Sequence, residues 1–168
     1  MSLSMYQASV PAALQMLNSL SAILDKTAAH CEARKIDPSV LLGDRLFPDM
    51  FPLVRQIQMV TDHAKGMAAR LAGVEVPSYA DDESSIAELK ARLAKTVAFV
   101  SGFAKEQIDG SEDRAISFKA GPRELSFNGQ QYLVSFALPN LHFHAATAYA
   151  ILRHNGVEIG KRDFLGMV

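Results

Sequence analysis

The sequence predicts an all-α protein: a four-helix bundle with a small β-hairpin inserted between the third and fourth helices. Three observations carry this. Apolar residues recur at spacings of three and four along four separate stretches, as in helices that bury one face. A fifth stretch, near residues 116–127, alternates apolar and polar, which is the period of a strand. Apolar residues make up 49% of 168, enough for one core, so one domain over 1–168 is expected.

The first helix shows as Val10, Leu14, Leu17, Ser21, Leu24, Ala28 and Cys31, in steps of four and three, with Ala13, Met16, Leu20 and Ile23 widening the face. Ser9 is the expected N-cap. Pro11 falls in the first turn, where its missing N–H costs nothing, and the helix reaches about Arg34. Asp37-Pro38 then starts a short helical turn over Ser39 to Leu42. Pro48 and Pro52 bracket Asp49-Met50-Phe51 and stop any continuation. The second helix opens at Pro52, carries the stripe Leu53, Ile57, Val60, Ala64, Met67 and Leu71, and stops at Gly73. Val74 to Tyr79, with Pro77, reads as a loop.

Ser85, followed three residues on by Glu88, is a capping-box pattern opening the third helix. Its stripe is Ile86, Leu89, Leu93, Val97 (or Thr96) and Val100, extended by Phe103, and its end lies near Lys105. Glu88 and Arg92, four apart, are expected to pair on the wet face. Ile116 and Phe118, the Gly121-Pro122 break, then Leu125 and Phe127 read as the hairpin, with Asn128-Gly129 as a turn. The fourth helix runs from about Gln130 to Asn155, with a kink or break expected at Leu138, before Pro139. Its face carries Asn140, Leu141, His144, Ala148, Ile151 and Asn155, and Gly156 caps it. The tail, Val157 to Val168, is expected to be pinned to the body by Phe164 and Leu165.

Several function classes drop out. Lys and Arg number 17 against 18 Asp and Glu, a formal charge of −1 with no basic patch, so no nucleic-acid partner is expected. The single cysteine, Cys31, excludes an intrachain disulfide and reads as a small buried apolar residue. Met1 to Val10 lacks Lys, Arg and a long apolar run, so it is not a secretory signal. No stretch approaches the ~20 apolar residues of a membrane span. The expectation is a cytoplasmic protein with no membrane partner. Gly-x-x-x-x-Gly-Lys, Gly-x-Gly-x-x-Gly and Gly-x-Ser-x-Gly are all absent.

Histidine is the informative polar residue. His30, His63, His142, His144 and His154 include no pair three or four apart, so no helix presents two imidazoles on one face. A site must be assembled across helices. His63 lies at the edge of the second helix's apolar face and His144 on the inward face of the last, so the two are expected to meet inside the bundle. His142 points nearly the opposite way, and His154 lies near a helix end, where a cation complements the dipole. Asn140, four before His144, shares its face; an amide oxygen is a weak ligand for zinc or nickel. Two readings stay open: a transition-metal centre, for which zinc wants three protein ligands, and a hydrogen-bonded pair that holds the helices in register.

Longer motifs add a resemblance. The runs Pro139-Asn140-Leu141-His142-Phe143-His144, Thr147 through Gly156 and Gly160 through Gly166, with Arg45 through Leu53 and Asp62-His63-Ala64-Lys65, resemble an uncharacterised bacterial family within the DinB/YfiT-like superfamily of metalloenzymes. The likeness spans nearly the whole chain and is specific at the C-terminal end. It implies a four-helix bundle, often dimeric, holding a divalent metal on three histidines. One comes from the second helix and two from a His-x-x-x-His pair on the last, whose second His is followed nine residues on by Arg and twelve on by Gly. His63, His144, Arg153 and Gly156 fit that pattern. Asn140 stands where the third histidine belongs.

Two functional expectations follow from the resemblance. In one, His63, His144 and Asn140 hold zinc, nickel or manganese, and the metal activates a thiol or water in a thiol-transferase or hydrolase-like reaction. Tyr149 and Asp49 are then candidates for the pocket wall, and no catalytic residue is singled out. In the other, the chain is a metal-free small-molecule-binding or structural protein. A homodimer and an unidentified small-molecule ligand are the expected partners.

Overall fold

The computed structural model describes residues 3–167. Met1 and Ser2, at the head of the segment read as lacking a signal, and Val168, the last residue of the tail, lie outside the described residues.

Helix α1 (Met5–Arg34) starts before the expected Ser9. Ser4 is its cap: the Gln7 N–H donates to Ser4 Oγ at 3.3 Å, and the Ser4 N–H donates to Gln7 Oε1 at 3.3 Å. Pro11 therefore lies inside the helix. The two box hydrogen bonds, with the burial of Met5, offset the one bond Pro11 cannot donate. Ser9 instead donates its hydroxyl to the Met5 carbonyl at 2.6 Å. The buried face is centred on Ala13, Met16, Leu17, Leu20, Ile23 and Leu24, while Ala28 is exposed, so the flanking set of the sequence reading lies over the core.

Helix α2 (Pro38–Gly43) is capped by Asp37, which accepts from the Ser39 N–H at 2.9 Å. Helix α3 (Leu53–Ala72) follows Pro52 and ends at Gly73, whose φ of +72° suits the left-handed turn. All six residues of its expected stripe are fully buried, and Gln56, Gln58, Thr61 and Lys65 are buried with them. A helix hidden on nearly every side must carry its polar residues inward, and this is what makes a site.

Helix α4 (Ile86–Ser101) is capped by Ser85, which accepts from the Glu88 N–H at 3.2 Å, and it ends at Gly102, short of Lys105. A separate turn, α5 (Lys105–Ile108), follows. The expected Glu88–Arg92 pair does not form. Glu88 accepts from the Ser84 N–H at 2.7 Å, and Arg92 is buried among Thr61, Asp62, Asp81 and Glu83. Carboxylates that α3 and the loop before α4 bring around the buried guanidinium outcompete a solvated neighbour on the same helix.

Strands β1 (Ile116–Ala120) and β2 (Arg123–Phe127) form the antiparallel hairpin, with Ile116 opposite Phe127 and Ala120 opposite Arg123. Asn128 caps α6 (Gly129–Gln131), accepting from the Gln131 N–H at 2.8 Å. A π-helical segment, Tyr132–Ala137, leads directly into α7 (Leu138–His154), and α8 (Lys161–Phe164) closes the tail. The break expected at Leu138 is absent. The wider π turn takes up the bond Pro139 cannot make and relieves its ring, and the Asn140 side chain donates to the Phe136 carbonyl at 2.7 Å.

Helices α1, α4, α3 and α7 close a ring: α1 packs on α4 and α7, and α3 packs on the same two. The hairpin lays Phe118 and Phe127 on Tyr132 and Phe136, with ring centroids 5.3–6.2 Å apart. The tail is held by Phe164, as expected, while Leu165 contributes its main-chain carbonyl and Asp163 adds an ion pair. Asp163 accepts from Lys26 Nζ at 2.5 Å, Gln15 donates to the Leu165 carbonyl at 2.8 Å, and Phe164 meets Tyr149 edge-on. Among the described residues no helix is long and apolar enough to cross a membrane.

Gly129 marks a close approach. A Cβ there would lie 1.9 Å from the Ser111 carbonyl oxygen, on backbone that the Gln130 N–H ties down through Glu112 O at 2.9 Å. Gly129→Ala is therefore expected to cost about 2–3 kcal/mol of stability as overpacking, read as a lower urea midpoint. Asn128→Ala, which removes only the cap, is expected to cost about 1 kcal/mol.

Candidate functional site: a stacked histidine pair between α3 and α7

The two histidines that the sequence sends inward do meet. The His63 and His144 rings have centroids 5.5 Å apart and planes within 12° of parallel. Phe51 stacks on His144 at 6.5 Å, and Phe136 meets His63 edge-on at 5.8 Å, so the row of rings runs Phe51, His144, His63, Phe136. Each comes from a different place: the turn before α3, α7, α3 and the π segment. Phe143, on α7, also touches His144, at 5.3 Å. Phe51 and Phe143 are each about half exposed and form an apolar rim.

Hydrogen bonding is uneven across the pair. His144 Nδ1 lies 2.7 Å from Gln56 Oε1, and the Gln56 amide nitrogen donates to the Phe51 carbonyl at 3.0 Å. His63 Nε2 is buried with no hydrogen-bond partner. Such an atom is rare in folded proteins and calls for an explanation. Burial pushes the His63 pKa down to about 4; His144 and Arg70 add to the fall, and Asp62 opposes it. Burial, then the Arg55 charge, also lowers the pKa of His144. Both rings are neutral at pH 7, each with one bare nitrogen.

Asn140 lies one turn before His144. Its amide nitrogen is committed to the Phe136 carbonyl, which leaves Oδ1 as the end able to face an ion. Tyr149 sits at the tail, its hydroxyl 3.5 Å from the Ile159 carbonyl and its ring on Phe164. Asp49 is exposed in the turn before α3. Neither hydrogen-bonds to the histidine pair among the described residues. His142 and His154 point to solvent. Among the described residues no group of three or more His, Cys, Asp or Glu could hold a metal ion.

Residues 5–165 match the family described as Domain of unknown function (DUF1993). The chain belongs to the DUF1993 family. A crystal structure of a DinB family member protein from Shewanella denitrificans is 39% identical, with a TM-score of 0.87 over 97% of this chain and 92% of that one. The DUF1993 protein therefore has a DinB-like fold. No curated protein matches it.

Gln56 was not foreseen as a partner of the site, although its signal was present. It lies seven residues before His63, two turns along the same face of α3. Arg70, seven residues after His63 on α3, carries the same signal, whereas Phe51 and Phe136 do not, because packing alone brings them to the rings. Arg70 lies over Phe118 at 4.2 Å and donates to the Tyr132 hydroxyl at 3.1 Å, which holds a cation near His63 and ties α3 to the hairpin.

Proposed function

We propose that this DUF1993 protein binds a divalent transition metal — zinc, nickel or manganese — through His63 and His144, with Asn140 Oδ1 as a weaker third donor. The orphaned Nε2 of His63, beside a second neutral imidazole, carries this reading. A buried polar atom without a partner costs about 1–3 kcal/mol, and coordination would remove that cost. The donors fit an ion in part of its shell, with two nitrogens and one amide oxygen, and leave the remaining positions for substrate. A bound divalent ion supplies a Lewis acid that activates a thiol or water, in a thiol-transferase or hydrolase-like reaction. The chain's own residues do the rest. The depressed pKa values keep both rings ready to ligate without first losing a proton. Phe51 and Phe136 wall off water at the two ends of the row. The Phe136 carbonyl orients Asn140.

The half-exposed rim of Phe51 and Phe143 favours a second reading, in which the rings border an apolar ligand site or the face of a homodimer and no metal takes part. Calorimetric titration of the chelator-treated protein with zinc, nickel and manganese separates the two. The metal reading expects stoichiometric binding, weakened at least tenfold in His63→Ala. No binding by the wild-type protein, with a Tm indifferent to chelator, leaves the metal-free reading.

A further inference from the structure

Two amides beside the histidine pair are each anchored by a main-chain carbonyl, and one of them decides where a proton sits. The Phe51 carbonyl can only accept a hydrogen bond. The end of Gln56 that lies 3.0 Å from it must therefore be the NH2, and the opposite end, facing His144, must be Oε1. An amide oxygen also only accepts. At 2.7 Å from Oε1, His144 Nδ1 must then carry the proton. A neutral imidazole has one N–H, so Nε2, across the ring, is left as the bare nitrogen.

The chain of constraint is short and stiff. Gln56 is 1% exposed and one turn into α3, and the Phe51 carbonyl belongs to the turn ending at Pro52, which starts that helix. The amide cannot rotate without setting oxygen against oxygen at Phe51 and leaving a buried group unpaired. His144 has no comparable freedom either, held between the Phe51 and His63 rings.

We infer that Gln56 is a positioning residue: through the Phe51 carbonyl it holds His144 in the Nδ1–H tautomer and so presents Nε2 as a lone-pair donor beside His63. The purpose assigned to this lone pair rests on the proposed cation site; the tautomer itself does not. An acceptor behind a ligating imidazole is the usual means by which its other nitrogen is made a better ligand. Here an amide at the start of α3 does this for a histidine on α7.

The experiment reads the tautomer directly, on metal-free 15N-histidine-labelled protein at pH 7, from long-range 15N–1H correlations to the His144 ring. The wild-type protein is expected to show protonated Nδ1 and bare Nε2. Gln56→Ala is expected to shift His144 mainly to the Nε2–H form that free side chains prefer. Zinc affinity in Gln56→Ala is expected to fall about 10- to 100-fold. A wild-type spectrum with the proton on Nε2 overturns the inference without any variant. So does an unchanged Nδ1–H signal in a folded Gln56→Ala protein. If the wild-type tautomer and its Gln56 dependence appear as expected but no metal binds, the inference stands and the metal reading fails.

Discussion

Acidifying the metal-free protein from pH 7 to pH 4 is expected to cost about 3 kcal/mol of folding stability through His63. Above pH 6.5 the imidazole is neutral in both the folded and the unfolded chain, so it adds no pH dependence. Between pH 6.5 and about 4 the unfolded chain binds a proton that the folded chain refuses, because burial, the neighbouring His144 and Arg70 all oppose a charge there. Stability falls steadily across that window and levels off below it, where both states are protonated. The displacement from 6.5 to about 4, at 1.36 kcal/mol per pH unit, gives the figure of about 3 kcal/mol. His144, also depressed, acts in the same direction. The check is a set of urea unfolding curves at pH 7, 5.5 and 4.5 with chelator present, for the wild-type protein and His63→Leu. The variant should lose markedly less stability over this range. Parallel losses in the two proteins would place the acid sensitivity elsewhere.

The second large effect lies on the opposite side of α3. Arg92 is buried on α4, and its guanidinium reaches Thr61 Oγ1 at 2.7 Å, the Ala80 carbonyl at 2.7 Å, and Glu83, Asp62 and Asp81 at 3.0 Å each. Burial alone would lower its pKa, but Glu83 foremost, with Asp62 and Asp81, more than compensates, and the group is charged at any ordinary pH. Tyr79 packs beneath the same cluster, with Lys65 and Lys95 about 4 Å from its ring. Arg92 thus clamps residues 79–83 to α3 and α4. Arg92→Leu is expected to cost about 3 kcal/mol, because removing one partner leaves the carboxylates without their shared cation. The cost sits at the lower end for a buried pair, since Asp62 and Asp81 are partly solvated and keep Lys65 and Arg55. Arg92→Lys is expected to recover little, because a single ammonium cannot span five acceptors. Denaturation midpoints measure the cost, and limited proteolysis within residues 74–85 should rise in step. A midpoint unchanged in Arg92→Leu would mean that the clamp contributes no net stability.

The amino-acid sequence by itself determined the helices, the hairpin and the inward turn of His63 and His144. These follow from side-chain period, caps and stops, which act within a few residues: Ser85 before Glu88, Gly73 after Leu71, Phe118 alternating with its neighbours. Tertiary structure alone decided that Pro139 is absorbed by a π turn, that Arg92 faces inward, and that Gln56 stands behind His144. Gln56 and His144 are 88 residues apart, and Arg92 and Thr61 are 31 apart. Local propensity cannot specify such partners; they become neighbours when the helices pack, and the cost of leaving buried polar groups unpaired then selects which ones join.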